Sequence, residues 1–314
     1  MYRVIADGPL GQAVLDLMGN EIEVLPWSFA VEGSSDPVDA VYTYGHPQLN
    51  GEMLDRLTGV KVISNYGVGV DHINVPDAAA RGVPVGNTPD ILNGATADMG
   101  FALMLAAGRR IMEGVRYARS SEFTVYDPGY MLGREIHSTT LGIIGMGSIG
   151  EEVAKRARAF NMTVLYHNRN RKADAEASLG VRFVSSDELL ADSDYVMLCV
   201  PLTDETRGLI GAVELTKMKS TAILINIARG PIVDTDALTA ALRNGDIYAA
   251  GLDVTDPEPL PRDHPLLQLD NVTIAPHLGS ATEQTRRQMA EISVENLFRG
   301  LRGEELLHEV MSSN

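Results

Sequence analysis

Arg229 in LINIARGPIVD, Glu258 in GLDVTDPEP and His277 in TIAPHLGSAT each follow an apolar, β-like run. A guanidinium offers a fork of N–H donors that matches a carboxylate. Imidazole is the side chain best suited to proton transfer near neutral pH, and a carboxylate touching it favours the charged ring. Each of the three has a plain structural reading on its own: a strand-end ion pair, a turn acid, a hydrogen-bonded loop histidine. All three at the ends of strands of one sheet, beside a nucleotide-binding turn, point to catalysis on a carboxylate-bearing substrate.

That turn lies in TLGIIGMGSIGEEVAKRA, where Gly145-x-Gly147-x-x-Gly150 follows an apolar strand and opens a helix. The first glycine permits a tight turn, the second lets backbone amides approach a pyrophosphate, and the third allows close helix–strand packing. The helix N-terminus then stabilises the anion. In a unit that binds NAD, a carboxylate at the tip of the next strand holds a ribose hydroxyl. Here that strand runs into HNRNRK, and Asn168, 18 residues beyond Gly150, takes the acid's place. Without a carboxylate a 2′-phosphate is not repelled, and Arg169, Arg171 or Lys172 can pair with it. The loop therefore predicts NADP as the preferred cofactor, with NAD still possible if the bases are only a solvated helix start.

Positioning these groups requires a chain that alternates β-like runs with helical patterns, the signature of parallel sheets with crossover helices. The early strands are expected at Tyr2–Ala6, Glu21–Leu25, Ala40–Tyr42, Val60–Asn65 and Val83–Gly86, with helices around Leu10–Met18 and Gly51–Leu57. Ala95–Arg119 reads as one long helix, apolar nearly all round from Met99 to Ala107, so it must be buried on more than one face, as a domain junction or a subunit interface would provide. The second α/β unit begins at Thr140. Its strands are expected at Thr140–Gly145, Thr163–Tyr166, Arg182–Val184, Tyr195–Val200, Ala222–Asn226, Ile247–Leu252 and Val272–Ile274. Its helices fall at Ser148–Phe160, Asp187–Ala191 and Asp234–Asn244, and a last helix, Glu283–Leu301, is expected to return to the first unit. The expectation is an α/β protein of two Rossmann-like domains, doubly wound parallel sheets flanking an active-site cleft. Residues 1–94 and 285–314 form the substrate domain and residues 95–284 the dinucleotide-binding domain.

The 314 residues suffice for two domains, and a net charge of −16 argues against nucleic acid as a partner. The single cysteine, Cys199, excludes an internal disulfide, fits a reducing compartment, and sits in YVMLCVP as a small buried hydrophobe. No apolar run reaches the roughly 18 residues of a membrane span. The start, MYRVIADGPLG, lacks the pattern of a signal peptide, and the final SSN is no peroxisomal address. The expected location is the cytoplasm. Cys and His spacing for zinc and a Gly-Lys-Ser/Thr phosphate loop are both missing, so no metal site is expected. His72 and His264 read as structural, His137 and His308 as surface residues. His167 borders the adenosine position, and His46 is a minor candidate for the cleft.

The stretches NYGVGVDHI, GVPVGNTPDIL, TLGIIGMGSIG, INIARG, AAGLDVTDPEPLP, HPLL and APHLGSAT follow one another in order. Through them the chain resembles the D-isomer-specific 2-hydroxyacid dehydrogenases, and within these the glyoxylate/hydroxypyruvate reductases. The resemblance runs from about Val60 to Gly303 and more weakly over the first 60 residues. It implies that Arg229 holds the carboxylate of a 2-oxo acid and polarises its ketone, that His277 donates the proton during reduction, and that Glu258 keeps the imidazole charged and oriented. It also implies that backbone around Val68 and Gly69 binds the substrate carboxylate, and that Asp253 contacts the nicotinamide amide. Thr96, Pro201, Ile227 and Gly279 would line the cofactor site, Ser148 and Ile149 would meet the pyrophosphate, and Asn168 and Arg169 the 2′-phosphate.

The implied activity is NADPH-dependent reduction of a small 2-oxo acid, glyoxylate or hydroxypyruvate, to the D-2-hydroxy acid, by a homodimer. Two alternatives stay open: the same reaction on a bulkier acid such as 2-ketogluconate, and a nucleotide-sensing, corepressor-like binding protein of the same fold. Phe123 and Tyr126 stand where relatives often carry Trp, which leaves the pocket size open. The C-terminal regulatory domain of longer phosphoglycerate dehydrogenases does not follow the last helix, an arrangement that disfavours serine-pathway regulation.

Overall fold

A computed structural model describes residues 1–45 and 47–311. His46 and the terminal Ser-Ser-Asn lie outside the described residues. The chain divides into two compact units, Met1–Leu92 with Thr282–Asn314, and Asn93–Ala281.

In the first unit, strands β1 (Tyr2–Ala6), β2 (Ile22–Pro26), β3 (Ala40–Thr43), β4 (Val62–Asn65) and β5 (Val85–Gly86) form a sheet in the order β2-β1-β3-β4-β5. Every pairing is parallel. Helices α1 (Gln12–Met18), α2 (Ser28–Glu32), α3 (Gly51–Asp55) and α4 (Val75–Ala80) make the connections. β3 and β4 are buried along their whole length, as central strands of a sheet covered on both faces must be. One cover is the helix Glu283–Arg302. Its Gly300 lies so close to Val62 that a Cβ would come within 2.4 Å of the valine side chain. Its buried Ser293 accepts a hydrogen bond from Ser64 Oγ at its carbonyl (2.6 Å) and shares one of 2.7 Å with the Tyr42 hydroxyl.

The second unit opens with helix α5 (Asn93–Gly108), followed by α6 (Ile111–Ala118). The single helix expected over Ala95–Arg119 is therefore broken. Arg110 takes a left-handed conformation, φ 51 and ψ 39, between the two pieces, and its guanidinium turns onto Glu113. Seven parallel strands follow: β6 (Thr140–Ile144), β7 (Thr163–His167), β8 (Arg182–Phe183), β9 (Tyr195–Leu198), β10 (Ile223–Asn226), β11 (Ala249–Leu252) and β12 (Val272–Ile274). Their order is β12-β11-β10-β9-β6-β7-β8. The order reverses between β6 and β9, the position outside which open α/β sheets bind nucleotides. Helices α7 (Ser148–Ala159), α8 (Ala173–Leu179), α9 (Ser186–Asp192), α10 (Ala212–Lys217) and α11 (Thr235–Asn244) connect the strands.

Alternation along the central strands divides the core of this unit into two layers. Ile143, Met197 and Ile225 pack on one face with Phe101 and Met104 of α5 and Val153 of α7. Ile144, Leu198 and Leu224 pack on the other with Leu215 of α10 and Leu238 of α11. The apolar helix α5 is thus buried by the sheet of its own unit, with Gly100 against Met197 and Ile227. The exposed apolar surface lies further on. Ile111, Met112 and Val115 of α6, and Phe123, Val125, Tyr126, Tyr130 and Leu132 of the irregular segment after it, are all between 44% and 79% exposed. Among the described residues no helix is long and apolar enough to cross a membrane.

Candidate active site

The glycine turn caps β6. Gly145 has φ +101, and a Cβ there would strike the backbone of Cys199 at 2.7 Å. Gly150, one turn into α7, comes so near that a Cβ would lie 2.2 Å from the carbonyl oxygen of Gly145. Gly147 is different: a Cβ there would meet nothing within 4 Å, so the space outside the turn is open. No side chain caps the helix that begins at Ser148, Ile149 and Gly150. The first amides of a twelve-residue helix therefore face open space, where an anion would satisfy them. These features fit a dinucleotide pyrophosphate.

Beyond β7 the chain turns through Asn168, whose amide Nδ2 donates to the carbonyl of Asn170 (3.0 Å). Arg169 is exposed at the tip. Arg171 is engaged at one face of its guanidinium, where Nε and Nη2 donate to the two oxygens of Glu176, both at 2.7 Å. Of the three basic residues named from the sequence, Arg171 is the one that this ion pair engages. His167 stacks on Phe183 with ring centroids 6.0 Å apart, and its Nδ1 lies 2.9 Å from the carbonyl of Val184.

The catalytic candidates come from three neighbouring strand ends, β10, β11 and β12. After β10, the buried Asn226 closes the loop: its Nδ2 donates to the carbonyl of Arg229 (2.9 Å) and its Oδ1 accepts from the amide of Ala228 (3.0 Å). The next residue, Gly230, lies against the loop after β11, where a Cβ would be 2.0 Å from the carbonyl oxygen of Thr255. Arg229 and Glu258 are thereby carried on two loops in backbone contact. Glu258 Oε1 lies 2.8 Å from Nδ1 of His277. At 30% and 40% exposure, both side chains remain within reach of a ligand.

His277 itself is held in a left-handed conformation, φ 56. Asp253, only 2% exposed at the end of β11, fixes it there. The Asp253 carbonyl accepts from the amide of His277 (2.8 Å), and its two carboxylate oxygens accept from the amides of Leu278 and Gly279, each at 2.7 Å. Burial pushes the Asp253 carboxyl up, and these two amides pull it back. Both carboxylate oxygens are already engaged, so the first role of Asp253 is to shape the histidine loop. Gly279 admits this approach, since a Cβ would lie 2.9 Å from Asp253 Oδ2 and 3.4 Å from the buried Thr96. Ile227, also buried, lies in the loop after β10, and Pro201 follows β9. Thr96, the glycine turn, Asn168, Pro201, Ile227, Arg229, Asp253, Glu258, His277 and Gly279 all belong to the second unit.

Val68 and Gly69 belong to the first unit, in the loop after β4. Asn65 Nδ2 donates to the carbonyls of Gly67 and Gly69, and Asn87 Nδ2 donates to that of Val68, so two side-chain amides fix the path of this backbone. His72 is buried beside Thr43 (3.1 Å), and His264 accepts from the amide of Leu266, both structural roles. Burial pushes the Cys199 thiol up to about 12. Among the described residues no three His, Cys, Asp or Glu side chains are grouped to hold a metal ion. The supporting residues Asn226, Gly230 and Glu176 carry no mark in the sequence, because their roles depend on which strand ends become neighbours.

The sequence profile of the family described as D-isomer specific 2-hydroxyacid dehydrogenase, NAD binding domain, matches residues 101–279. A glyoxylate reductase of Pyrococcus horikoshii is 45% identical over 313 residues, covering 96% of this chain and 93% of its own. One from Korarchaeum cryptofilum is 46% identical over 271 residues, 86% of this chain and 78% of its own. Among solved structures, an NADPH-dependent glyoxylate/hydroxypyruvate reductase of Sinorhizobium meliloti, in complex with NADP and malonate, superposes with a TM-score of 0.89. It is 30% identical and covers 98% of this chain and 96% of its own.

Proposed function

Because the chain belongs to the D-isomer specific 2-hydroxyacid dehydrogenases, NAD(P)-dependent oxidoreductases that reduce 2-oxo acids, we propose that it is an NADPH-dependent reductase of glyoxylate or hydroxypyruvate. The observation that carries the reading is the Glu258–His277 pair, 2.8 Å apart at the carboxyl edge of the nucleotide-binding sheet. Arg229 grips the carboxylate of the 2-oxo acid through its fork of donors and polarises the neighbouring ketone. The glycine turn, Thr96, Pro201, Ile227 and Gly279 would hold a nicotinamide cofactor, whose reduced form would supply the hydride for C2. His277 gives its proton to the ketone oxygen, and Glu258 holds the ring oriented through Nδ1, so that the opposite nitrogen is presented to substrate. The backbone of Val68 and Gly69 is proposed as a further binding group for the substrate carboxylate.

Asn168 and Arg169 support the choice of NADPH, since the loop carries no acid to repel a 2′-phosphate. The names of the relatives from Pyrococcus horikoshii and Sinorhizobium meliloti support the small substrates. The proposed working form is a homodimer, a reading supported by the exposed apolar side chains of α6 and of Phe123–Leu132. The single cysteine supports a reducing, cytoplasmic setting.

The test is steady-state oxidation of NADPH and of NADH with glyoxylate, hydroxypyruvate, 2-ketogluconate and phenylpyruvate. The expected result is higher kcat/KM with NADPH and the two small acids. Faster turnover of 2-ketogluconate or phenylpyruvate would replace the substrate assignment, and no turnover with any pair would favour the binding-protein reading.

A further inference from the structure

The loop that follows β7 carries three basic residues, Arg169, Arg171 and Lys172, yet its side chains are not equally available. Glu176, in α8, accepts from both Nε and Nη2 of Arg171, each at 2.7 Å. The same carboxylate accepts a third hydrogen bond, from the hydroxyl of Tyr166 (2.8 Å). Tyr166 has its ring in the core, and its hydroxyl in turn accepts from the backbone amide of Lys172 (2.8 Å). Glu176 is only 19% exposed at its side chain, whereas Arg171 is 66% exposed. The carboxylate is therefore the fixed partner and the guanidinium the one that was drawn to it.

We infer that Glu176 sets how strongly this enzyme discriminates a 2′-phosphorylated from an unphosphorylated dinucleotide, by holding Arg171 in a two-point ion pair away from the phosphate and leaving Arg169 to meet it. The inference rests on the proposed adenosine-ribose site at Asn168 and Arg169. It goes further in naming a residue that touches no ligand and acts through another side chain. Arg171 competes between two anions, a carboxylate held by a buried tyrosine and a phosphate delivered with the cofactor. While Glu176 is ionised and positioned, the carboxylate wins, and the second guanidinium adds nothing to phosphate binding. The pair with Glu176 takes the Nε and Nη2 side of the guanidinium, the two-point face that would otherwise fit a phosphate, and fixes the direction in which the remaining donors point.

The experiment compares wild type, Glu176→Gln, Arg171→Ala and the double variant, measuring kcat/KM for NADPH and for NADH with one saturating 2-oxo acid. Glutamine keeps the size of Glu176 and its bond to Tyr166 but loses the charge that holds Arg171. Glu176→Gln is expected to raise the NADPH-to-NADH ratio by roughly 5- to 10-fold, the effect of one added charge-assisted contact. Arg171→Ala alone is expected to leave the ratio within about 2-fold, since the side chain was already withheld, and the double variant to return the ratio to the wild-type value. A merely structural Glu176 would lower both cofactors alike and leave the ratio still. An unchanged ratio in Glu176→Gln would overturn the inference. So would a gain that survives in the double variant, which would mean direct repulsion between Glu176 and the phosphate, and so would a large loss of NADPH use in Arg171→Ala. The readout is a change in ratio, so it decides the matter whichever cofactor the wild type prefers. Failure of the NADPH assignment would appear separately, in the wild-type ratio itself.

Discussion

Glu258 and His277, 19 positions apart in sequence, meet at 2.8 Å because β11 and β12 are parallel neighbours whose carboxyl ends carry them to one edge. The pair gives the imidazole one fixed nitrogen and one free to act. His277→Ala is expected to lower kcat by roughly 10²-fold or more through lost acid–base catalysis. Glu258→Gln retains the contact without the charge and is expected to cost about 10- to 100-fold. NADPH binding, followed by its fluorescence, should be unchanged in both. Near-wild-type turnover of His277→Ala would remove it from the proton-transfer role.

Asn168→Asp restores a carboxylate at the tip of β7. The acid would repel a 2′-phosphate and hold a ribose hydroxyl, so preference should move toward NADH by about 10-fold or more. The ratio of kcat/KM for the two cofactors is the measurement. An unmoved ratio would mean that the ribose is bound elsewhere on this loop.

Gly230 joins the Arg229 loop to the Glu258 loop, and a methyl group there has no room, at 2.0 Å from the Thr255 carbonyl oxygen. Backbone cannot yield as a flexible side chain would. Gly230→Ala is expected to cost about 2–4 kcal/mol of stability by overpacking. It should also reduce kcat/KM by more than the loss of folded protein explains. Thermal melting alongside titrated active sites separates the two effects.

The parallel α/β class and the positions of the strands along the chain were legible because the strands read as apolar runs punctuated by turn residues, whereas their order in each sheet was not. Arg229, Glu258 and His277 stood out for a similar reason: each sits directly after such a run, and the structure carries them on three neighbouring strand ends. Other features were not legible. Gly108, the last residue of α5, stands two positions before the break at Arg110, but a lone glycine in an apolar helical run does not by itself end a helix; the left-handed Arg110 and its ion pair with Glu113 complete the break. Reading the apolar α5 as a junction or subunit surface failed to anticipate that its own sheet covers it, since an all-round apolar helix says that it is buried and not by what. Arg171 looked equivalent to Arg169 until tertiary structure supplied Glu176. The four short helices Ser28–Glu32, Val75–Ala80, Ala173–Leu179 and Ala212–Lys217 span at most two turns, too few for a period to show.

Cys199, part-buried, stands just after β9 beside the glycine turn, and burial pushes its thiol up to about 12. A thiol attacks only as the thiolate. The folded protein is therefore expected to react negligibly with an aromatic disulfide reagent at pH 8, and to release one equivalent per chain in denaturant. Rapid labelling of the native protein with loss of activity would make this cysteine a reactive site.

Asp253 is buried with an upward-displaced carboxyl, and its charge is met by the amides of Leu278 and Gly279. A carboxyl whose folded value lies above its unfolded one binds more protons when folded, so its contribution to stability falls as pH rises through that interval. Asp253→Asn removes the titration. It also leaves one of the two amides facing an N–H group in place of an oxygen, a loss that does not vary with pH. The melting temperature of the variant relative to wild type should therefore be lowest at acid pH and recover as pH rises above the usual carboxylate range. Activity should fall at every pH, because the amides that turn His277 into place lose an acceptor. A difference in melting temperature that stays flat between pH 4 and 7 would show that the two amides fully offset the cost of burial.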